Sequence, residues 1–277
     1  LGHNDQNGLL MESYYRRTNA RFTTDVELTD WLDVSTNIMY SRAKNTRGDD
    51  QLRTISETWP ILPIKYPDEP EFGLYAGTWS TGRDFPVGEN WSNIVYVSDQ
   101  RDGHYLNQQI TGGIVLNAQI TDNLSFKANL ALDNRSEDSR WFNGNFQGNR
   151  TSDARGSNAR WLYWQNENYL DYTREFGVHQ LAGVLGLSWS ENTYDWVEAQ
   201  GYNFPSNFYS YNNLNAGSNT PQAHSANQRS ALNSYFARAN YSYDDKYMLT
   251  ATGRIDGSSK FGPNNKYAFF PSVGVGW

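Results

Sequence analysis

Ile114-Val115-Leu116-Asn117-Ala118-Gln119-Ile120-Thr121-Asp122-Asn123-Leu124-Ser125-Phe126-Lys127-Ala128-Asn129-Leu130-Ala131-Leu132 is the stretch that decides the fold. Before Thr121, the side chains of Ile114, Leu116, Ala118 and Ile120 fall on one face and those of Asn117 and Gln119 on the other. After Asn123, Leu124, Phe126, Ala128, Leu130 and Leu132 alternate with Ser125, Lys127, Asn129 and Asp133. A period of two belongs to a β-strand, whose successive side chains point to opposite faces. The segment reads as a hairpin with one apolar and one wet face.

The same unit recurs outward along the chain. Phe22, Thr24, Val26 and Leu28 lead through Thr29-Asp30 into Leu32, Val34, Thr36, Ile38 and Tyr40, and Leu28-Thr29-Asp30-Trp31-Leu32 is a close copy of Ile120-Thr121-Asp122-Asn123-Leu124. A third hairpin turns at Arg174–Gly177 into Leu181, Leu185, Leu187 and Trp189. A fourth turns at Asp244-Asp245-Lys246, between Tyr235–Tyr243 and Tyr247–Ile255, and a last strand begins near Phe269. This predicts about nine strands of roughly 8 to 12 residues, the length a tilted membrane strand needs. The connections at the other end are long, at about 43–103, 135–160, 191–228 and 257–268. Short turns alternating with long loops are the pattern of an outer-membrane barrel, in which the long loops are extracellular.

Composition agrees with strands in lipid. Aromatic residues make up 15% of the 277 residues, with 19 Tyr and 10 Trp, yet mean hydropathy is -0.77. No stretch approaches the roughly 18 consecutive apolar residues of a spanning helix. In a barrel wall only alternate residues meet lipid, so low mean hydropathy with many Tyr and Trp is expected. The absence of cysteine excludes disulfides, thiolate metal sites and Cys nucleophiles. A net charge of -7 and a pI near 5.1 oppose a nucleic-acid partner, which calls for a clustered basic surface. Leu1–Leu10 shows neither a basic start nor an apolar run, so it does not read as a signal peptide, and the chain is expected to be cut from something longer.

Motifs that hint at chemistry have simpler readings. Asp256-Gly257-Ser258-Ser259-Lys260-Phe261-Gly262 lacks phosphate-loop spacing and stands between strands, so it reads as a strand-to-loop exit. His3, His104, His179 and His224 are scattered without metal-ligand spacing. The acidic pairs Glu57 with Asp68 and Glu191 with Asp195 define no cleft in sequence. No enzyme, cofactor or metal site is expected.

Four blocks carry a family resemblance: Ser234–Tyr241 (SYFARANY), Lys246–Ala251 (KYMLTA), Arg254–Gly262 (RIDGSSKFG) and Phe270–Trp277 (FPSVGVGW). In this order and spacing they resemble the late barrel of the SusC/RagA family of TonB-linked outer-membrane transporters, and the Leu28–Leu32 hairpin resembles an earlier one. The resemblance implies a Bacteroidota outer-membrane protein with a barrel of about 22 strands around an N-terminal plug. It also implies lipid contact, a SusD-like lipoprotein cap, energisation by TonB through the N-terminal region, and import of oligosaccharides or, in one branch, peptides. Against that pattern this sequence shows no plug, TonB box or signal sequence and under half of the strands. It is therefore expected to be a barrel portion that is not transport-competent alone. The alternatives are a soluble carbohydrate-binding β module and a passive porin or adhesin barrel.

The aromatics divide by position. Tyr40, Trp164, Tyr172, Trp189, Tyr241, Tyr243 and Tyr247 lie near strand ends, where amphipathic rings settle at a membrane interface. Trp59, Trp79, Trp91, Trp141 and Trp161 lie in or beside the expected long loops. There a flat ring packs the loops first, meets the partner lipoprotein second and a ligand third. Arg238, Asn240, Arg254 and Asp256 are expected to face the lumen, opposite the plug of a family member, together with Ser272, Gly274 and Gly276 of the last strand. The barrel reading makes folding depend on detergent or lipid. Refolded with detergent, the chain should show β-sheet circular dichroism and a single species by size exclusion, and a folded monomer in plain buffer would overturn it.

Overall fold

The computed structural model describes residues 1–46, 63–66, 77–80, 93–144 and 151–277. These residues form one ten-stranded antiparallel sheet in sequence order, each strand paired with the next. The strands are β1 (Gly2–Asn7), β2 (Tyr14–Thr29), β3 (Leu32–Asn45), β4 (Arg101–Thr121) and β5 (Leu124–Asn143). They continue as β6 (Asp153–Phe176), β7 (His179–Tyr202), β8 (Gln222–Tyr243), β9 (Tyr247–Ser258) and β10 (Tyr267–Gly276). A short helix, α1 (Ile94–Asp99), precedes β4. No helix among the described residues is long and apolar enough to cross a membrane, which says nothing of crossing by strands.

The register places the apolar residues on one face. Phe22, Ile38, Ile114, Leu130, Leu185, Leu249 and Val275 belong to it, and each is exposed. Buried apolar residues are few among those described: Tyr66, Val97, Phe142, Ala154, Ala159 and Phe204. Leaving a Leu, Ile or Phe side chain in water forgoes about 1.5–3 kcal/mol. A contiguous face of such residues is what soluble monomers avoid exposing. The exposed face is therefore a lipid face, and the soluble module is the poorer reading.

The turns follow from local chemistry. Gly177 takes φ +62° at the first position of the two-residue β6–β7 turn, as a type II′ turn requires. Asp244 and Asp245, with φ of 52° and 48°, turn β8 into β9, because Asp tolerates the left-handed region better than most residues. The two similar turns share one distortion: a register shift at Leu28 is matched by one at Ile120, before the Thr29–Leu32 and Thr121–Leu124 pairs. At the short-turn end Phe176, His179, Tyr241, Tyr243 and Tyr247 form a ring cluster across β6–β9. His179 stacks at 5.1 Å from Phe176 and its Nδ1 lies 2.7 Å from the Tyr241 hydroxyl.

Two expectations need correction. The sheet has ten strands where about nine are predicted, because β1 (GHNDQN) is polar throughout and carries no alternation. The strands β4 to β8 run 20 to 24 residues instead of roughly 8 to 12. The stretch 135–160 is thus largely strand and 191–228 about half strand, while 257–268 yields only its ends; the connections shrink to 144–152, 203–221 and 259–266. A 24-residue strand at about 3.3 Å per residue runs about 80 Å, far more than a bilayer about 30 Å thick can hold even when the strand tilts. The outer face changes where the strands leave lipid. Leu132 gives way to Asn134, Ser136 and Asp138 on β5, and Trp164 to Arg160 and Asn158 on β6. With both faces in water no alternation survives, although the ladder continues.

The 203–221 connection folds back on the outer face of this extension through two 3-10 segments, Asn207–Asn212 and Leu214–Ala216. Phe204 meets Phe142 edge to face at 5.6 Å, and both bury against Ala154 with Tyr211, Leu214 and Ala216 around them. Buried Ser152 accepts from the Phe204 amide at 2.7 Å. Gly201 admits this cap, since a Cβ there would lie 2.7 Å from the Leu214 carbonyl oxygen. Replacing Phe204 by Ala should cost the cap about 3 kcal/mol. Amide exchange across 203–218 should then quicken by about 100-fold while the lipid-level strands keep their protection.

Candidate functional site

The inner face of the extension gathers the polar and aromatic residues. Cross-strand rows follow from the register: Asp133–Tyr163–Asn192–Ser230, then Arg135–Trp161–Tyr194–Gln228, then Glu137–Ala159–Trp196–Ala226, then Ser139–Ser157–Glu198–His224. In the second row Arg135 lies over the Trp161 ring at 4.8 Å, and Tyr194 packs on it at 5.1 Å and 32°. Trp161 is the centre of a cation–aromatic–aromatic stack, a contact type worth about 0.5–1.5 kcal/mol per ring pair. Long polar side chains two apart on one strand also bond: Tyr163 to Gln165, Gln165 to Glu167 at 2.6 Å, Gln200 to Glu198 at 2.6 Å, and Arg135 to Glu137 at 3.2 Å.

Of the five tryptophans singled out in sequence, Trp79, Trp141 and Trp161 lie among the described residues. Trp161 and Trp141 are strand residues of β6 and β5, not loop residues, for the reason given for the extension. Trp141 lies across Gly103 of β4, where a Cβ would come 2.6 Å from the ring, and lines a cavity of about 390 Å³ with Glu12, Tyr14, Arg101 and Asp102. Trp79 pairs with Lys65 in an isolated bridge, with the Lys65 ammonium 4.6 Å over its ring and Tyr96 at 5.1 Å. Trp59 and Trp91, like Glu57 and Asp68, lie outside the described residues.

Arg238, Asn240, Arg254 and Asp256 share the polar face of β8 and β9. They bond among themselves and to neighbours. Arg254 Nε donates to Asp256 at 2.7 Å and its Nη2 to Ser234 at 3.0 Å, while Arg238 Nε and the Thr250 hydroxyl donate to Asn240 Oδ1. Tyr194, Trp196 and Tyr163 are site residues that the sequence reading missed. Their signal was the even-numbered run Tyr194, Trp196, Glu198, Gln200 and Tyr202, a period-two pattern of aromatic and amide side chains instead of aliphatic ones.

Comparison with known proteins fits this geometry. A TonB-dependent receptor of Formosa agariphila is 27% identical over 282 residues, covering 98% of this chain and 28% of that protein. The TonB-dependent receptor SusC of Bacteroides thetaiotaomicron is 26% identical over 303 residues, covering all of this chain and 29% of SusC. The chain is a SusC/RagA-like barrel segment. It thus spans under a third of the length of the curated relatives it matches. The solved RagAB peptide transporter superposes with a TM-score of 0.74 at 20% identity, over 99% of this chain and 31% of that one, a likeness of fold. The ferric preacinetobactin receptor BauA of Acinetobacter baumannii superposes at 0.50 and 14% identity, over 99% of this chain and 39% of that one. No family model matches.

At the mouth of the SusC/RagA-like wall, His104 packs edge to face on Tyr211 of the cap at 5.8 Å. Burial lowers its pKa from 6.5, and Lys44 and Arg140 push the same way against Asp138 and Asp102. A histidine so lowered favours its neutral form in the folded state. Its contribution is full above pH 6.5 and is lost as pH falls through the lowered value. The protection of the 203–218 amides, taken relative to their intrinsic exchange rates at each pH, should therefore fall as pH drops below 6.5. His104→Phe, which keeps a ring but cannot titrate, should abolish that dependence.

Proposed function

We propose that this chain forms part of the wall of an outer-membrane, TonB-dependent importer that takes up oligosaccharides, with peptides the second reading. The observation that carries it is the inner face of the β5–β8 extension. Aromatic rings there stand among amide, hydroxyl and mutually paired charged side chains, above a wall whose other face is apolar. Such a surface suits a pyranose, which offers an apolar face of C–H groups and a rim of hydroxyls. A peptide bound by strand addition needs a free strand edge. Strands β5, β6, β7 and β8 are each paired on both sides. The curated relatives are named as receptors of this transport system. In this reading a SusD-like lipoprotein closes the extracellular mouth, and TonB acts through the N-terminal region of the whole protein. Arg238, Asn240, Arg254 and Asp256 border its plug.

The test is uptake by cells carrying the full-length receptor with its lipoprotein, given end-labelled oligosaccharides or oligopeptides, with and without TonB. Oligosaccharide accumulation that disappears without TonB is the expected result. Accumulation of peptides alone would replace the substrate class, and uptake indifferent to TonB would make the wall that of a passive pore.

A further inference from the structure

Two tryptophans of the inner face, Trp161 and Trp196, stand in opposite circumstances. Trp161 is covered on both sides, by the Arg135 guanidinium at 4.8 Å and by Tyr194 at 5.1 Å. Trp196, one row nearer the extracellular end, is flanked in its own row by Ala159 and Ala226. A single methyl group on either side cannot cover an indole. Ala159 is only 7% exposed, so the larger side chains around it close over it, while Trp196 itself stays partly exposed.

Around this ring the polar groups are fixed and their charges cancel. Glu198, two residues on along β7, has a side chain only 11% exposed; it lies 3.7 Å from Arg155 Nη1 and accepts from Gln200 Nε2 at 2.6 Å. Glu137, in the Trp196 row, is paired with Arg135 at 3.2 Å. Gln228, in the row below, is exposed on the same face, and Ser157 stands opposite Glu198. The fringe therefore offers hydrogen bonds without net charge.

We propose that Trp196 is a stacking platform for neutral pyranose units on the inner wall, and that Trp161 is a structural stack that braces it. The proposal rests on the oligosaccharide reading above and narrows it, naming one ring, its gap and uncharged sugars. Ring-on-ring stacking supplies affinity, the paired Glu198 and Arg155 and the Gln228 amide orient hydroxyls, and the pairing of the charged side chains among the described residues of this fringe disfavours uronate or sulfated sugars.

The test uses the full-length receptor in detergent and fluorescence titration with end-labelled heptasaccharides of β-1,4-linked glucose, mannose and xylose and of α-1,4-linked galacturonate. Wild type should bind a neutral heptasaccharide more tightly than the galacturonate one. Trp196→Ala should lose about 10-fold in affinity, and Trp196→Phe less than about 3-fold. Ala226→Leu, which fills the gap beside an intact Trp196, should weaken binding similarly, so the outcome does not hang on a variant that folds poorly. Trp161→Ala should lower the melting temperature yet change affinity by less than about 3-fold. Wild-type binding of a neutral sugar left unchanged by both Trp196→Ala and Ala226→Leu would overturn the platform and leave the oligosaccharide reading standing. Preference for galacturonate would overturn the neutral class. Binding of none of the four would remove the oligosaccharide reading and the platform with it.

Discussion

Inside hydrocarbon no water is available to a backbone N–H or C=O, and each one left unpaired costs several kcal/mol. Everything else in this chain is arranged around that constraint. From β2 to β10 every strand at lipid level is bonded to its sequence neighbour, and the register slips in the two similar hairpins fall at Leu28 and Ile120, beside the turns at the edge of the band. An antiparallel order without crossovers is what short hairpins produce. It satisfies all but the outermost edges. The free edges of β1 and β10 must be met by further strands wherever they lie in lipid, so the sheet makes physical sense as an arc of a larger closed wall.

The same ladder serves two environments along its length. At lipid level one face is aliphatic and the other polar, and aromatic residues such as Tyr40, Trp164, Trp189 and Tyr235 mark the upper margin. Above that margin lipid no longer covers the outer face, and two devices replace it. On the outside the cap buries Phe142 and Phe204 against β5 and β6. On the inside the Arg135–Trp161–Tyr194 stack and the Tyr–Gln–Glu chains along β6 and β7 tie neighbouring side chains together. Isolated surface ion pairs contribute little, about 0–1 kcal/mol each. The aromatic contacts and the continuous backbone pairing do more of the holding.

What could be read from sequence follows from this division. The hairpins around Thr121-Asp122 and Thr29-Asp30 were legible because lipid imposes an aliphatic–polar alternation, and even their shared distortion was foreshadowed by their similar sequences. β1 and the upper halves of β4 to β8 were not legible as strands, since water on both faces removes the alternation while leaving the hydrogen bonds intact. The same blindness displaced the site. Trp161 was noticed for its residue type but assigned to a loop, and Trp196 was passed over because it stood inside a stretch taken for a connection. The family resemblance, by contrast, was read from the strand-and-turn blocks from Ser234 to Trp277, while the similarity to the relatives extends over nearly the whole chain.

Placing recognition groups on strands instead of on loops has an energetic consequence. A loop that orders on binding gives up about 0.5–1.5 kcal/mol for each side chain it immobilises, in addition to its backbone entropy. The backbone of Trp196, Glu198 and Gln200 has already lost its share of that freedom, because β7 is bonded on one side to β6 and on the other to β8 along nearly its whole length. Their spacing is set by the pleat, and their facing partners by the register. A wall of this kind holds a ligand in a fixed place and does not follow it. In the proposed importer, movement that carries solute inward would then come from parts of the whole protein other than this sheet, which contributes a rigid surface against which those parts can work.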